Sequence, residues 1–247
     1  MGARDKLPMT PAARKDVSVE DQVQAALTAL ERLSTKRDRE NLARFGITAP
    51  KAFGVSVSNI QKVAKKLGRN HELADALWKT GWYEARMLTS FVDDPERVTP
   101  AQMDRWCRDF DNWGICDTVC FHLFDRTPHA WTMVKKWGGN REEFIKRAAF
   151  ALVASLAIHD KTEGDRRFLD SLVRIERAAT DERNFVKKGV SWALRTVGRR
   201  NAALHAAAVK LAKRLSASPE PAAKWVGKDA LRDLTRPAVI RQVAARR

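Results

Sequence analysis

The sequence predicts an all-α fold, on three observations. Apolar residues recur every three or four positions in nearly every segment after residue 18, which is the period of one helix face. Thr99-Pro100 and Thr127-Pro128 each offer an N-cap residue followed by proline at the first helical position. The best strand candidate, residues 55–58, is too short to build a sheet.

The predicted helices follow in chain order. Apolar stripes cover residues 23–33, then 60–67, then 73–92 with a break at Thr80-Gly81. Residues 144–158 form the most apolar segment, which predicts a central helix buried on several sides. Further helices are expected over residues 168–179, 184–197, 202–215 and 221–234.

About a dozen short helices joined by brief turns favour an α-solenoid, a stack of helical hairpins with degenerate repeats. The concave face of such a stack suits a long ligand such as duplex DNA. Residues 1–18 are polar, basic and broken by Pro8 and Pro11, so we expect a flexible arm there. Residues 19–247 then form a single helical-repeat domain.

The net charge and the cysteine content narrow the classes of function that the sequence allows. The net charge of +16 points to nucleic acid, with an anionic membrane surface or a generic basic protein as the weaker alternatives. Three cysteines fit a reducing cytoplasm, and Cys116, Cys120 and His122 lack the CxxC pair or fourth ligand of a zinc site. We therefore expect buried structural thiols, no metal and no cofactor. No apolar run approaches membrane-spanning length, and no signal-peptide core is visible, so no membrane partner is expected.

Three segments carry candidate chemistry. Trp113 and Asp117 stand four residues apart where a helix begins, so the indole and the carboxylate share one face. Arg147 stands at the entrance of the apolar central helix. An arginine alone is usually solvated or ion-paired, but a cation at this place is unexpected unless it faces a partner.

In the third segment, Lys188, Trp192, Arg195 and Arg199 form a stripe of cations around one indole. Lysine and arginine meet backbone phosphates, and aromatic faces meet bases or sugars. Tryptophans in apolar periodic contexts are expected in the core instead; these are Trp78, Trp106, Trp131 and Trp137.

At these residues the chain resembles the AlkD-like DNA alkylation repair family, which consists of DNA glycosylases built from HEAT-like helical repeats. The matching features are Trp113-x-x-x-Asp117, the helix start at residues 146–149, and Lys188-x-x-x-Trp192-x-x-Arg195. The resemblance covers nearly all of the chain except the arm. Gly114 and Cys116 depart from the bulkier or more polar residues of family members.

The resemblance implies excision of N3- and N7-alkylated purines from double-stranded DNA. It makes Asp117 the catalytic carboxylate, Trp113 and Trp192 the aromatic walls beside the deoxyribose of the lesion, and Arg147 a phosphate contact. Lys146, Lys188, Arg195 and Arg199 are the further predicted DNA-binding residues, and we expect a cytoplasmic monomer that associates with the nucleoid on DNA.

Two other hypotheses remain open from the sequence. One is a non-catalytic helical-repeat module that binds nucleic acid or protein, which would gain nothing from a carboxylate facing phosphates. The other is a resistance protein that applies the same chemistry to bulky DNA adducts. Phosphate-binding GxxxxGK[ST], HExxH and serine nucleophile-elbow motifs are all missing from the sequence, as is a Gly-rich helix-hairpin-helix signature.

Overall fold

The computed structural model describes residues 18–246, and all regular structure in that range is helical. The elements there are α1 (Val19–Glu31), α2 (Lys36–Arg44), α3 (Val57–Leu67), α4 (His71–Lys79), α5 (Tyr83–Val92), α6 (Pro100–Arg108), α7 (Trp113–His122), a 3₁₀ turn (Phe124–Arg126), α8 (Ala130–Trp137), α9 (Glu143–His159), α10 (Asp165–Ala178), α11 (Asn184–Val197), α12 (Ala202–Ser216), α13 (Pro221–Leu234) and α14 (Pro237–Ala244). The all-α prediction is confirmed, and residues 55–58 form no strand.

The helices stack in two layers. In the inner layer, α3, α5, α7, α9, α11 and α13 contact one another in that order. In the outer layer, α4, α6, α8, α10 and α12 each pack against at least one inner helix. Because each unit touches mainly its neighbours, the arrangement is the α-solenoid that the sequence predicts.

The centre of the core is α9, which lies between α7 and α11 with α8 behind it. Phe150 and Leu152 on this helix are buried, and each such side chain contributes about 1.5–3 kcal/mol to folding. Trp78, Trp106 and Trp137 are buried as predicted. Trp131 is only partly buried, and its indole lies edge-on against Phe168 on the outer layer.

The two predicted Thr-Pro helix starts behave differently. Thr99 caps α6 by accepting a hydrogen bond from the amide of Gln102 at 3.2 Å, as predicted. The start predicted at Thr127-Pro128 is wrong, because α8 begins at Ala130. The amide and the hydroxyl of Thr127 both donate to the carbonyl of Phe124, so this residue closes the preceding 3₁₀ turn instead.

A buried carboxylate fixes the loop between α2 and α3. Glu84 on α5 is fully buried and accepts hydrogen bonds from the amides of Phe53, Gly54 and Val55 at 2.9, 2.7 and 3.2 Å. Gly54 has φ +85°, and a Cβ there would meet Arg39 at 2.7 Å. Glycine is therefore required in this loop, which holds the first half of α2, at Thr35 and Arg39, close to the Glu84 site.

The predicted arm lies outside the described residues except for Ser18, whose side chain caps α1 by accepting from the amide of Asp21. All three cysteines are buried and free, as expected of structural thiols. Within residues 18–246, no cluster of three His, Cys, Asp or Glu side chains is suited to a metal ion. No helix of that range combines the length and apolarity needed to cross a membrane.

Candidate functional site

A cleft of about 770 Å³ opens on the inner layer, beside the end of α2. Four inner helices, α7, α9, α11 and α13, supply most of its lining. Trp113, Asp117, Arg147 and Trp192, which belong to three separate sequence segments, all line it. The structure thus brings together the four residues that the resemblance assigns to catalysis and to a phosphate contact. The roles themselves stay predictions.

The start of α7 positions the indole and the carboxylate. Asn112 caps the helix by accepting a hydrogen bond from the amide of Ile115 at 3.0 Å. Trp113 is the first helical residue, and its indole nitrogen donates to the carbonyl of Phe45 at 3.0 Å. Asp117 follows one turn later on the same face, so the capped start of α7 fixes both side chains toward the cleft.

The two departures from the family pattern are explained by packing. A Cβ at Gly114 would meet the hydroxyl of Tyr83 at 2.6 Å, so α7 approaches α5 too closely for a side chain here. Cys116 is buried, and its Sγ lies 3.7 Å from the carbonyl oxygen of Phe144. Neither residue lines the cleft, so both act on how α7 packs rather than on what the cleft contacts.

Arg147 holds Asp117 in a two-pronged ion pair. Its Nε donates to Oδ1 of Asp117 at 2.8 Å, and its Nη2 donates to Oδ2 at 2.6 Å. Its Nη1 donates to the carbonyl of Phe185 at 2.5 Å. The Arg147 side chain is 7% exposed and that of Asp117 is 19% exposed, so the carboxylate keeps access to the cleft while the guanidinium lies behind it.

Burial and the partner's charge shift the pKa of each member of this pair in opposite directions. Desolvation raises the pKa of Asp117 above its ordinary value, although the charge and hydrogen bonds of Arg147 oppose the rise. Desolvation lowers the pKa of Arg147, but the charge and hydrogen bonds of Asp117 outweigh it and the net shift is upward. A carboxylate offers about four lone-pair directions, and Arg147 uses two of them. The remaining directions are available to a ligand or a water molecule in the cleft.

The ion pair with Asp117 limits the hydrogen bonds that Arg147 can donate to DNA. Three of its nitrogens already donate to protein oxygens, and a guanidinium has five N–H donors. The geometry therefore supports a positioning role for Arg147 behind Asp117. The phosphate contact implied by the resemblance stays a prediction and would have to use the N–H groups that remain.

Trp113, Asp117 and Arg147 form what we call the α7–α9 wall. The α11–α13 wall, on the other side of the cleft, contains Lys188, Trp192, Arg195, Trp225 and Asp229. Lys188 is exposed, and the ring of Trp192 stacks on that of Phe121 with centroids 6.3 Å apart. Two of the predicted DNA-binding cations, Lys188 and Arg195, thus face the cleft together with Trp192.

The other two predicted DNA-binding cations do not line the cleft. Lys146 forms an ion pair with Asp181 at 2.9 Å, and both side chains are largely buried. Arg199 pairs through two nitrogens with Asp233 on α13. Both cations tie neighbouring inner-layer segments together, so their availability to DNA is lower than that of Lys188.

Trp225 and Asp229 were not singled out from the sequence, although they repeat the Trp-x-x-x-Asp spacing of Trp113 and Asp117. Asp229 accepts a hydrogen bond from the buried hydroxyl of Ser191 at 2.7 Å. It also pairs with Arg232 at 2.5 Å and with Arg195 at 3.6 Å. The repeated spacing, on another helix that starts with Pro221, was the sequence signal that could have identified this wall.

Comparisons with known proteins agree with this architecture. Residues 26–234 match the family described as DNA alkylation repair enzyme. A solved structure matches with a TM-score of 0.72 and 22% identity, covering 85% of this chain and 94% of the other. It is described as a new family of proteins related to the HEAT-like repeat DNA glycosylases with affinity for branched DNA structures. This match shows that the fold is a solenoid of HEAT-like repeats.

A designed armadillo repeat protein also matches, with a TM-score of 0.37 and 12% identity, covering 90% of this chain and 96% of the other. The comparison with curated proteins gave no significant match.

Proposed function

The chain belongs to the DNA alkylation repair enzyme family, and from this premise we propose that it is a DNA glycosylase. Its proposed substrates are cationic N3- and N7-alkylated purines in double-stranded DNA, whose N-glycosidic bond it hydrolyses. One observation carries the proposal: the Asp117 carboxylate reaches a cleft that two indoles, Trp113 and Trp192, also line.

This arrangement fits the chemistry of a cationic leaving group. An N3- or N7-alkylpurine already carries a positive charge, so it departs without protonation and the site needs no general acid. Positive charge then develops on the deoxyribose, as in other glycoside cleavages with oxocarbenium character. A preorganised carboxylate stabilises that charge and can orient the attacking water.

The tryptophans and Arg147 support the carboxylate in different ways. Each indole face favours a nearby cation by roughly 0.5–2 kcal/mol, and so favours the charged sugar. Arg147 fixes both oxygens of Asp117, which removes the rotational freedom that the carboxylate would otherwise lose at the transition state. We therefore assign Asp117 the catalytic role and Arg147 a positioning role.

The net charge of the protein and the cations that line the cleft support the proposal that it binds DNA. The net charge of +16 favours a polyanion, and Lys188 and Arg195 bring cations to the cleft itself. We propose that the protein acts as a cytoplasmic monomer on double-stranded DNA, without a metal or cofactor, because the leaving group requires no Lewis acid. Activity that survives a strong chelator would support the metal-free mechanism, and loss restored by a divalent ion would contradict it.

A second candidate function is DNA binding without catalysis. It is favoured by the pairing of Asp117 itself, because an ion pair with Arg147 would also serve a purely structural purpose. The two candidates differ in one consequence: only the glycosylase needs the charge of Asp117 for a chemical step.

The deciding experiment measures release of 7-methylguanine and 3-methyladenine from methylated duplex DNA, with enzyme in excess so that the chemical step is isolated. We expect release by the wild type. Asp117→Asn keeps the side-chain shape but removes the charge, so the single-turnover rate should fall roughly 10²–10³-fold. DNA affinity should stay the same or rise slightly, because a negative charge is lost.

Folding must be controlled, since Asp117→Asn leaves a buried Arg147 without its counterion. The double variant Asp117→Asn with Arg147→Met removes both charges and should fold at least as well as the single variant. If the wild type releases neither base, the glycosylase proposal fails and the binding module takes its place. If Asp117→Asn excises at the wild-type rate, Asp117 is structural.

A further inference from the structure

The α11–α13 wall contains an indole that has no role in the proposed reaction. Trp225 lines the cleft and is 38% exposed, one of the few large apolar side chains in residues 18–246 with that much surface. Among residues 18–246, no hydrogen bond holds its indole nitrogen in the way that the carbonyl of Phe45 holds that of Trp113. Its close partner is a cation: Nζ of Lys187 lies 5.1 Å from the ring centroid.

The charges around Trp225 distinguish it from Trp113. The nearby carboxylate, Asp229, is shared between Arg195 and Arg232 and also accepts from Ser191. Two guanidinium groups therefore surround one carboxylate, and Lys187 adds another cation. This surface carries a positive excess, so it suits an anion and not a developing cation.

Flat aromatic surface beside a positive excess is the combination that binds a nucleotide whose base has left the helical stack. The base stacks on the indole, and the phosphate meets the cations. Fully paired DNA offers phosphates to such a surface but no free base face. Nζ of Lys187 lies over the ring, 5.1 Å from its centroid, although Lys187 itself does not line the cleft. A base that stacks on this face displaces the ammonium toward the phosphate of the same nucleotide.

We propose that Trp225, with Arg195 and Lys187, forms a second subsite in the cleft that takes one unpaired nucleotide of DNA. Asp229, which pairs with Arg195 at 3.6 Å, lines the same cleft. The α7–α9 wall, together with Trp192, acts on the damaged nucleotide, and this subsite binds another. The inference rests on the proposed function only in taking DNA as the ligand.

The test compares the affinity of the full-length protein for two undamaged probes, a short duplex and the same duplex with one bulged nucleotide, by fluorescence anisotropy. The wild type should prefer the bulged duplex. Trp225→Ala should remove that preference, with a loss of about tenfold on the bulged probe, because the unpaired base loses the aromatic face on which it stacks. Trp225→Phe should retain most of it.

Two further variants separate stacking from charge. Arg195→Gln removes a cation that both probes can meet, so it should weaken both and leave their ratio unchanged. Ile240→Ala, which changes an exposed apolar residue on α14 outside the cleft, should alter neither affinity. Melting temperatures confirm that each variant is folded.

The outcomes are distinct. Equal affinity of the wild type for both probes, or a preference that survives Trp225→Ala, overturns the subsite. A wild type that excises methylated bases but shows no preference overturns the subsite alone. A wild type that prefers the bulged probe without excising any base supports the subsite and overturns the glycosylase.

Discussion

The two walls of the cleft use the same kinds of residue to different ends. Each has a Trp-x-x-x-Asp pair on an inner helix and an arginine that meets the aspartate. On the α7–α9 wall one largely buried guanidinium matches one carboxylate. On the α11–α13 wall Asp229 is shared by Arg195, at 33% exposure, and Arg232, at 80%. The ratio of cations to carboxylates, together with burial, makes the α7–α9 wall neutral and the α11–α13 wall positive. Under the proposed function, the neutral pair faces the cationic sugar together with the indole of Trp192, and the cations of the second wall face phosphate.

The largest difference between the walls should appear in stability. Arg147→Met leaves Asp117 buried without its partner, which typically costs about 3–5 kcal/mol. Arg195→Met removes a partly exposed partner at 3.6 Å from a carboxylate that keeps Ser191 and Arg232, so we expect a loss under about 1 kcal/mol. Urea unfolding of both variants measures this, and equal losses would show that the walls are not electrostatically distinct.

The glycines within the two Trp-x-x-x-Asp segments provide the next comparison. A Cβ at Gly227 would lie 2.2 Å from the backbone nitrogen of Ser216, so α13 must move away from α12. A Cβ at Gly114 meets side-chain atoms instead of backbone: the hydroxyl of Tyr83 at 2.6 Å, and then Ile47 and Asn112 at 3.1 and 3.2 Å. Gly227→Ala should therefore cost at least the 1–3 kcal/mol that is typical of overpacking, and Gly114→Ala less.

Tyr83→Phe provides the control, because it removes the hydroxyl that a Cβ at Gly114 would meet. It should restore the stability of Gly114→Ala in thermal melts and leave that of Gly227→Ala unchanged. Rescue of neither variant would mean that the close approach of α7 to α5 is not what requires Gly114.

The pH dependence of excision should depend on the α7–α9 wall alone. In the proposed reaction the active form of Asp117 is ionised, and burial raises the pKa of this carboxyl above its ordinary value. The single-turnover rate should thus be full above that pKa and fall tenfold per pH unit below it, at a higher pH than for a free aspartate. A pH–rate profile measures this limb. Asp229→Asn should leave its position unchanged, and a shift in that variant would give Asp229 a catalytic role.

The smallest expected effect is on the salt dependence of DNA binding, and it should differ between two of the lysines that were predicted to bind DNA. Lys188 faces the cleft, whereas Lys146 is paired with Asp181 away from it. Lys188→Ala should reduce the log–log salt slope of DNA binding by about 0.9, the value for one phosphate contact. Lys146→Ala should leave the slope unchanged. The reverse result would mean that DNA binds outside the cleft.

Much of the fold could be predicted from the sequence because helix periodicity is local. The helix over residues 184–197 has the predicted bounds, and so does that over residues 221–234. The helix α14 was missed, since it is eight residues long and buries only Val239 and Val243, too few to form a visible stripe. Thr127 was misassigned because capping a helix and closing a 3₁₀ turn require the same residue type.

The site was harder to predict, because its geometry depends on contacts between helices. Spacing within α7 places Trp113 and Asp117 on one face, and that part of the reasoning needs only the helix. Which cation meets which carboxylate depends on partners about one helical hairpin away in sequence, as in Arg147 with Asp117. Periodicity within a helix carries no information on that register, so Lys146 and Lys188 looked equivalent in the sequence.

The cleft spans four consecutive inner helices, α7 to α13, and this has a consequence for how its specificity can change. The separation between Asp117 and Trp225 depends on the small rotations between all the successive repeats that lie between them. A substitution at a packing contact between two helices, away from the cleft, would change one of these rotations. It would thereby alter the separation slightly without changing a cleft residue. A change of curvature therefore changes which ligands fit the cleft, and relatives with the same cleft residues need not bind the same ligand.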